Sequence, residues 1–179
     1  MSAQRKGRRA IVSSAHLVSE RAGALSEFEY GLIVAANAFN RWIVRGMAAA
    51  GLKDLGALDV MVLHSVNHRG REKKLADLCF VLNVEDTHTV TYALRKLTRL
   101  GLVAGTRRGK EIFYTATEAG QAACERYRAV REDCLVAAFG AFSGGRAEEA
   151  MEREVGELAE LLRALSGLYD QAARAAASL

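Results

Sequence analysis

The sequence contains no proline and only three cysteines, and both shortages restrict the protein classes that it fits. Proline is the residue that most often breaks a helix, so its absence favours long uninterrupted helices. Cys79, Cys124 and Cys134 are odd in number and widely spaced, which indicates neither a disulfide framework nor a metal site. Reduced cysteines are typical of the cytoplasm, and we expect the protein there.

Catalytic and membrane signatures are also missing. There is no Gly-rich phosphate loop, no GxSxG, no HExxH and no convincing pair of carboxylates, so we expect neither an enzyme nor a cofactor. The apolar stretch 31–50 is interrupted by Asn37, Asn40, Arg41 and Arg45, which argues against a membrane span.

The positive charge is concentrated in two parts of the chain. Residues 69–110 carry ten Lys or Arg against four Asp or Glu, a balance of +6. Residues 121–179 carry seven against ten, a balance of −3. The other basic cluster lies in a short N-terminal tail. Such clustering favours a polyanionic partner over a merely soluble mixed surface.

Apolar residues at three- and four-residue spacing predict a mainly helical protein. The predicted helices cover residues 26–51, 55–68, 72–80, 85–100, 118–139 and 147–178. Ser26 and Glu29 form a capping-box pattern at the first helix, Gly101 is expected to end the fourth, and Thr117 to cap the fifth.

Two short runs of alternating residues, 102–106 and 112–117, flank the turn 107–110 and predict a β-hairpin. The turn is basic, with Arg107, Arg108 and Lys110. Like charges so close together repel each other unless a polyanion is near, although a solvated loop is the alternative. Lys73 and Lys74 lie at the start of the third predicted helix and are further candidate phosphate contacts.

The fourth predicted helix has two chemically different faces at 100° per residue. Its apolar face carries Val90, Ala93, Leu94, Leu97 and Leu100. The opposite face carries short hydroxyls and long basic side chains: Thr87, His88, Thr89, Thr91, Tyr92, Arg95 and Arg99. The alternatives are a plain solvated face and a face that reads the major groove of DNA. Threonine is a poor helix former, which favours a functional reason for its presence.

The stretch THTVTYALRKLTRLGLVAGTRRGKEIFYTATEAG (87–120) resembles the winged helix-turn-helix of the MarR family of bacterial transcription regulators. The match runs from the recognition helix, Thr89 to Val103, through the wing to Thr117 and Gly120. It departs in the wing, TRRGKE, which lacks the family's Asp-x-Arg pair; Arg107 or Arg108 could take the arginine's place.

The resemblance implies a winged helix-turn-helix flanked by long N- and C-terminal dimerisation helices, and a homodimer that binds double-stranded DNA. We therefore expect a basic tail at 1–25, a dimerisation helix at 26–53, the DNA-binding domain at 54–117 and dimerisation helices at 118–179. The last predicted helix has an apolar stripe that one small domain cannot cover, which supports a partner subunit. The residues of this stripe are Met151, Val155, Leu158, Leu162, Leu165, Tyr169 and Ala172.

The expected function is a dimeric, sequence-specific transcription regulator, a repressor that responds to a small-molecule effector. Phe39, Trp42, His64 and His68 are candidates for lining the effector cleft; the alternative is that the aromatics are core and the histidines surface. A winged-helix protein-interaction module without sequence-specific DNA binding is the alternative function.

Overall fold

The computed structural model describes residues 11–142 and 148–179, so the basic residues Arg5, Lys6, Arg8 and Arg9 of the predicted tail lie outside the described residues. Within the described residues the chain forms seven α-helices and one β-hairpin. In chain order they are α1 (Gly23–Ala49), α2 (Ala57–Asn67), α3 (Leu75–Leu82), α4 (Thr87–Arg99), β1 (Val103–Arg108), β2 (Glu111–Ala116), α5 (Glu118–Arg131), α6 (Ala137–Phe142) and α7 (Glu148–Ala176). The predicted class, mainly α with one hairpin, is confirmed.

The chain divides into two compact units, residues 1–130 and 131–179. The first unit has a continuous apolar core to which α1 to α5 and the hairpin all contribute. Its largest fully buried side chains are Met47, Leu63, Leu78, Leu94 and Leu97. The core side of α4 therefore lies against the rest of this unit, and its other side is left for contacts outside it.

The prediction that Ser26 begins the first helix is wrong, because α1 begins at Gly23 and takes in the last residues assigned to the tail. The Ser26 hydroxyl oxygen instead accepts a hydrogen bond from the Ser19 backbone N–H at 3.1 Å. The Ser19 hydroxyl oxygen accepts from the Ala22 N–H at 3.0 Å. The two serine hydroxyls thus hold the turn before the helix, and the helix begins three residues earlier than the capping-box pattern indicated.

The next two helices begin later than predicted. In each, the third residue is an aspartate whose carboxylate accepts a hydrogen bond from the backbone N–H of the residue just before the helix. Asp59 accepts from the Gly56 N–H at 2.8 Å, and α2 begins at Ala57. Asp77 accepts from the Lys74 N–H at 2.9 Å, so α3 begins at Leu75 rather than at residue 72. Leu78 and Cys79 face the core, as predicted.

Both ends of α4 are set by local backbone chemistry. Asp86 accepts from the His88 N–H at 2.9 Å, which starts the helix at Thr87. Gly101 ends it in the left-handed conformation, with φ of 70°, and the Leu102 N–H returns to the Leu97 carbonyl at 3.0 Å. The glycine stop is confirmed. Leu100, however, was predicted on the apolar face and is 46% exposed, because the chain already turns there.

The hairpin is longer than predicted, and its turn is shorter. Strands β1 and β2 pair antiparallel from Val103 opposite Ala116 to Arg108 opposite Glu111. Only Gly109 and Lys110 form the turn, with Gly109 at φ of 62°. Arg107 and Arg108, assigned to the turn, therefore belong to β1.

The end of the hairpin is fastened to the end of α4 through Thr117. Its hydroxyl donates to the Gly101 carbonyl at 2.6 Å, and its oxygen accepts from the Gly120 N–H at 3.1 Å, so it caps α5 as predicted. Gly120 lies so close to the Leu102 carbonyl that an added Cβ would come within 2.1 Å of that oxygen. The joint between α4, the hairpin and α5 therefore requires glycine at this position.

The fifth predicted helix, 118–139, is interrupted. Helix α5 ends at Arg131, a π-helical turn covers Glu132–Val136, and α6 follows. In the second unit, α7 is long and amphipathic, with Met151 buried. Most of its large apolar side chains are exposed: Val155, Leu158, Leu161, Leu162 and Leu168.

Candidate nucleic-acid interface

Helix α4 separates its side chains as the sequence pattern predicts. Val90, Ala93, Leu94 and Leu97 are at most 1% exposed and face the core. On the other side Thr87, His88, Thr89, Tyr92 and Arg95 are exposed, and Thr91 is half-buried. Tyr92 is 65% exposed, an unusual position for an aromatic ring unless it has a partner. The outer face is thus available along the whole helix.

Two threonines on this face already use their hydroxyl protons. Thr89 Oγ1 donates to the Asp86 carbonyl at 2.7 Å, and Thr91 Oγ1 donates to the Thr87 carbonyl at 2.8 Å. Each oxygen keeps its lone pairs and each side chain its methyl group. Toward an external partner these threonines can accept a hydrogen bond and make apolar contact. At the base edges of DNA, amino groups can donate such a hydrogen bond and thymine methyl groups can make such an apolar contact.

The orientation of α4 is fixed from its inner side by an ion pair. Lys96 Nζ lies 2.6 Å from Asp59 Oδ2 of α2, with the two side chains only 25% and 10% exposed. The same carboxylate accepts the Gly56 N–H at the start of α2. Breaking a shielded pair leaves an uncompensated charge, so the pair holds the two helices in one arrangement.

The basic side chains of the outer face are not neutralised. Arg95 and Arg99 are exposed and form no ion pair with any residue in the segments 11–142 and 148–179. They border a groove between α4 and the hairpin, whose lining is Tyr92, Arg95, Thr98, Arg99, Gly105, Ile112 and Tyr114. Helix α4 and the hairpin therefore face one shared groove, which Arg95 and Arg99 line on the α4 side.

Three cations predicted in the basic turn, together with Lys74 from the start of the third predicted helix, divide into two kinds. Arg107 and Lys110 lie at the tip, exposed and without an ion-pair partner among the described residues; Arg107 Nε donates only to the Gly109 carbonyl at 3.3 Å. Arg108, in contrast, binds both carboxylate oxygens of Glu72, at 2.6 and 2.7 Å. Lys74 pairs with Glu111 at 2.8 Å. The tip cations are therefore the ones available to a polyanion.

Lys73 holds the loop before α3. Its ammonium group donates to the His68 carbonyl at 3.0 Å and to the Arg71 carbonyl at 2.8 Å. Its backbone pairs with Tyr114 in both directions, at 3.0 and 2.8 Å. Two of its three donor positions are thus occupied, and its backbone forms an isolated antiparallel bridge to β2.

This arrangement of helices and hairpin agrees with known proteins. A family model described as a winged helix DNA-binding domain matches residues 55–120. Residues 55–120 therefore have the winged-helix fold.

Solved structures extend the likeness beyond the winged helix. A MarR transcriptional regulator from Methanosarcina mazei Go1 is 15% identical with a TM-score of 0.62, over 79% of this chain and 92% of that one. A MarR-family regulator from Rhodococcus sp. RHA1 is 15% identical with a TM-score of 0.60, over 75% and 91%. BpsR from Bordetella bronchiseptica, whose DNA binding is regulated by 6-hydroxynicotinic acid, is 22% identical with a TM-score of 0.50, over 74% and 98%. No curated protein matches the sequence. The resemblance to MarR-family regulators is confirmed at the level of the fold.

The four candidate effector residues do not form one cluster in the structure. Trp42 and His64 both lie against Tyr127 of α5. The centroid of the Tyr127 ring is 6.5 Å from that of Trp42 and 4.7 Å from that of His64. Phe39 is 54% exposed on α1, and His68 is exposed in the turn after α2. Burial lowers the pKa of His64 below its usual 6.5, and its buried Nε2 atom has no hydrogen-bond partner among the described residues.

The cysteines of the chain differ in their surroundings. Burial, followed by the Glu125 charge, raises the pKa of Cys124 to about 11. Cys79 is buried as well, and that burial raises its pKa. Cys134 is exposed on the π-helical turn. Among residues 11–142 and 148–179, no group of three or more His, Cys, Asp or Glu could hold a metal ion. The described helices include none that is long and apolar enough to span a membrane.

Sequence reasoning missed several residues of the interface. Thr98 lies seven residues after Thr91 and lines the groove, so helical spacing alone could have found it. Glu72 and Glu111 could not be found this way, because their partners lie 36 and 37 residues away in the sequence.

Proposed function

We propose that this protein is a dimeric, sequence-specific DNA-binding transcription regulator. The observation that carries the proposal is the outer face of α4, where exposed Thr, His, Tyr and Arg side chains lie opposite a fully buried apolar face. A major groove admits one α-helix and offers acceptors, donors and methyl groups to such side chains. Arg95 has a free guanidinium for a guanine edge or a phosphate.

The hairpin supplies the second contact with the same duplex. With α4 in the major groove, the tip residues Arg107 and Lys110 would reach the neighbouring backbone or minor groove. Their charges have no carboxylate partner among the described residues, so a phosphate would be the first strong acceptor they meet. Base contacts would come from α4 and positioning contacts from the hairpin.

Dimerisation is proposed through the flanking helices, residues 26–53 and 118–179. Residues 31–40 of α1 are all exposed, including Leu32, Ile33, Val34 and Phe39. Most of the large apolar side chains of α7 are exposed as well. Burying such a side chain is worth roughly 1.5–3 kcal/mol, so a second copy of the chain is the natural cover for both surfaces.

Repression and effector response are the remaining parts of the proposal. A dimer with two recognition helices covers half-sites about one helical turn apart, enough duplex to exclude other proteins from a promoter. The regulation of BpsR by a small aromatic acid supports an effector for this chain too. Trp42 and His64, with Phe39 and His68 nearer the surface, are the proposed contacts.

Selection of genomic fragments tests the proposal. Purified protein is mixed with fragments of the source genome, bound fragments are sequenced, and the affinity for the enriched duplex is measured at 50 and 200 mM salt. If the dimer meets roughly 6–10 phosphates, the affinity should fall about 10³–10⁵-fold between these concentrations.

The alternative, a protein-interaction module, gives a different result. It would enrich no sequence above the input pool, and its weak binding to DNA would be equal for all fragments. Either of these outcomes contradicts the proposed function.

A further inference from the structure

The hairpin is held by a network of four charged side chains around one aromatic ring. Arg108 and Glu111 face each other at the last pair of the hairpin. Each is bound to the extended segment before α3, Arg108 by Glu72 and Glu111 by Lys74. Arg108 and Lys74 both lie over the Phe113 ring, 5.0 and 5.2 Å from its centroid.

The backbone explains why these partners meet. Lys73 pairs with Tyr114 by two hydrogen bonds in an isolated antiparallel bridge, so the extended segment 72–74 lies beside β2. Side chains two residues apart in an extended segment lie on the same side, which places Glu72 and Lys74 together over the hairpin. We call Glu72, Lys74, Arg108, Glu111 and Phe113 the wing clamp.

The wing clamp carries two positive and two negative charges, so it adds no net charge to the interface. The hairpin's excess positive charge is then that of Arg107 and Lys110 at the tip. Where these two charges lie depends on how the hairpin is oriented. Arg108 is bound through both of its terminal nitrogens, a geometry that fixes direction as well as distance.

We propose that Glu72 is a positioning residue for DNA binding, which acts through Arg108 to orient the hairpin so that Arg107 and Lys110 meet the duplex. The proposal rests on the proposed function. It assigns a favourable role in DNA binding to a carboxylate, although a carboxylate beside a polyanion ordinarily repels it.

The loss of a negative charge and the loss of the hairpin's orientation change the affinity for DNA in opposite directions, so one substitution distinguishes them. Glu72→Gln removes one negative charge from the protein, and by charge alone it should strengthen binding to the enriched duplex. If Glu72 orients the hairpin, binding weakens instead. Because this ion pair is exposed, its loss should weaken binding by up to about fivefold.

The matched control is Glu85→Gln, which removes the same charge from an exposed glutamate just before α4. We expect this variant to bind as tightly as wild type or more tightly. The dependence on salt gives a second readout, since a misdirected hairpin tip in Glu72→Gln should neutralise fewer phosphates. The log–log slope should then be shallower by about 0.9 for each phosphate that the tip no longer meets. A change in stability alone would not alter that slope.

A third variant shows whether Glu72 acts through its partner. In an Arg108→Gln background, Glu72→Gln should not weaken the affinity any further. A further weakening there, or tighter binding by Glu72→Gln in the wild-type background, overturns the role of Glu72. Wild-type protein that selects no duplex contradicts the proposed function itself, so the two failures are distinguishable.

Discussion

Substitution of Arg95 distinguishes base-specific recognition from non-specific electrostatic binding to DNA. Arg95 is exposed, has no carboxylate partner among the described residues, and lies one turn after Thr91 on the outer face of α4. Arg95→Ala should cost about 1–3 kcal/mol at one base-pair position and relax the preference there. Binding to every single-base variant of the enriched duplex measures this.

Lys110→Ala is the matched comparison for Arg95→Ala, because it removes one positive charge from the hairpin tip. It should weaken binding to all those duplexes by a similar factor. A uniform loss of affinity in Arg95→Ala as well would mean that Arg95 contacts only phosphate.

His64 predicts how stability depends on pH. Burial lowers its pKa in the folded state below the usual 6.5. The unfolded chain therefore binds the proton more readily, and the free energy of unfolding should fall as pH drops through and below about 6.5. His64→Phe keeps a ring beside Tyr127 and should remove that part of the pH dependence. Urea unfolding at pH 7.5 and 5.5 compares the two proteins; equal pH dependence would contradict the assignment.

At the scale of elements, the joint formed by α4, the hairpin and α5 is the most sensitive to substitution. Gly120→Ala would push a methyl group into the Leu102 carbonyl and should destabilise the protein by about 3 kcal/mol. Gly156→Ala, in α7, meets nothing within 4 Å and should be neutral or stabilising. Thermal unfolding of both variants checks this; equal melting temperatures would show that the joint can shift to accept a side chain.

The elements that could be predicted are those with a local cause. The two faces of α4 follow from spacing, and its stop at Gly101 from a left-handed glycine. The start of α1 was missed, because Ser26 accepts a hydrogen bond from Ser19 rather than capping its own helix. Ion pairs such as Asp59–Lys96 and Glu72–Arg108 were also missed, since spacing along the chain does not encode partners that only the fold brings together.

For the whole molecule, the exposed apolar faces of α1 and α7 predict a dimer. Sedimentation equilibrium should give twice the 19.4 kDa of one chain. Phe39→Glu, at a position 54% exposed in the single chain, should shift the mass toward one chain while the winged helix stays folded. Ala76→Glu adds the same charge at an exposed position of α3, outside the proposed dimerisation helices, and should leave the dimer intact. A wild-type monomer, or a Phe39→Glu dimer as stable as wild type, would contradict this surface as the interface.

The most direct measurement of the central claim compares two duplexes of equal length and composition. One carries the genomic sequence that the protein enriches, and the other carries the same bases in shuffled order. Binding of the wild-type protein to each is followed by fluorescence anisotropy at physiological salt. A regulator that reads bases through α4 should bind the enriched duplex at least about 10³-fold more tightly. Equal affinity for the two duplexes would contradict it.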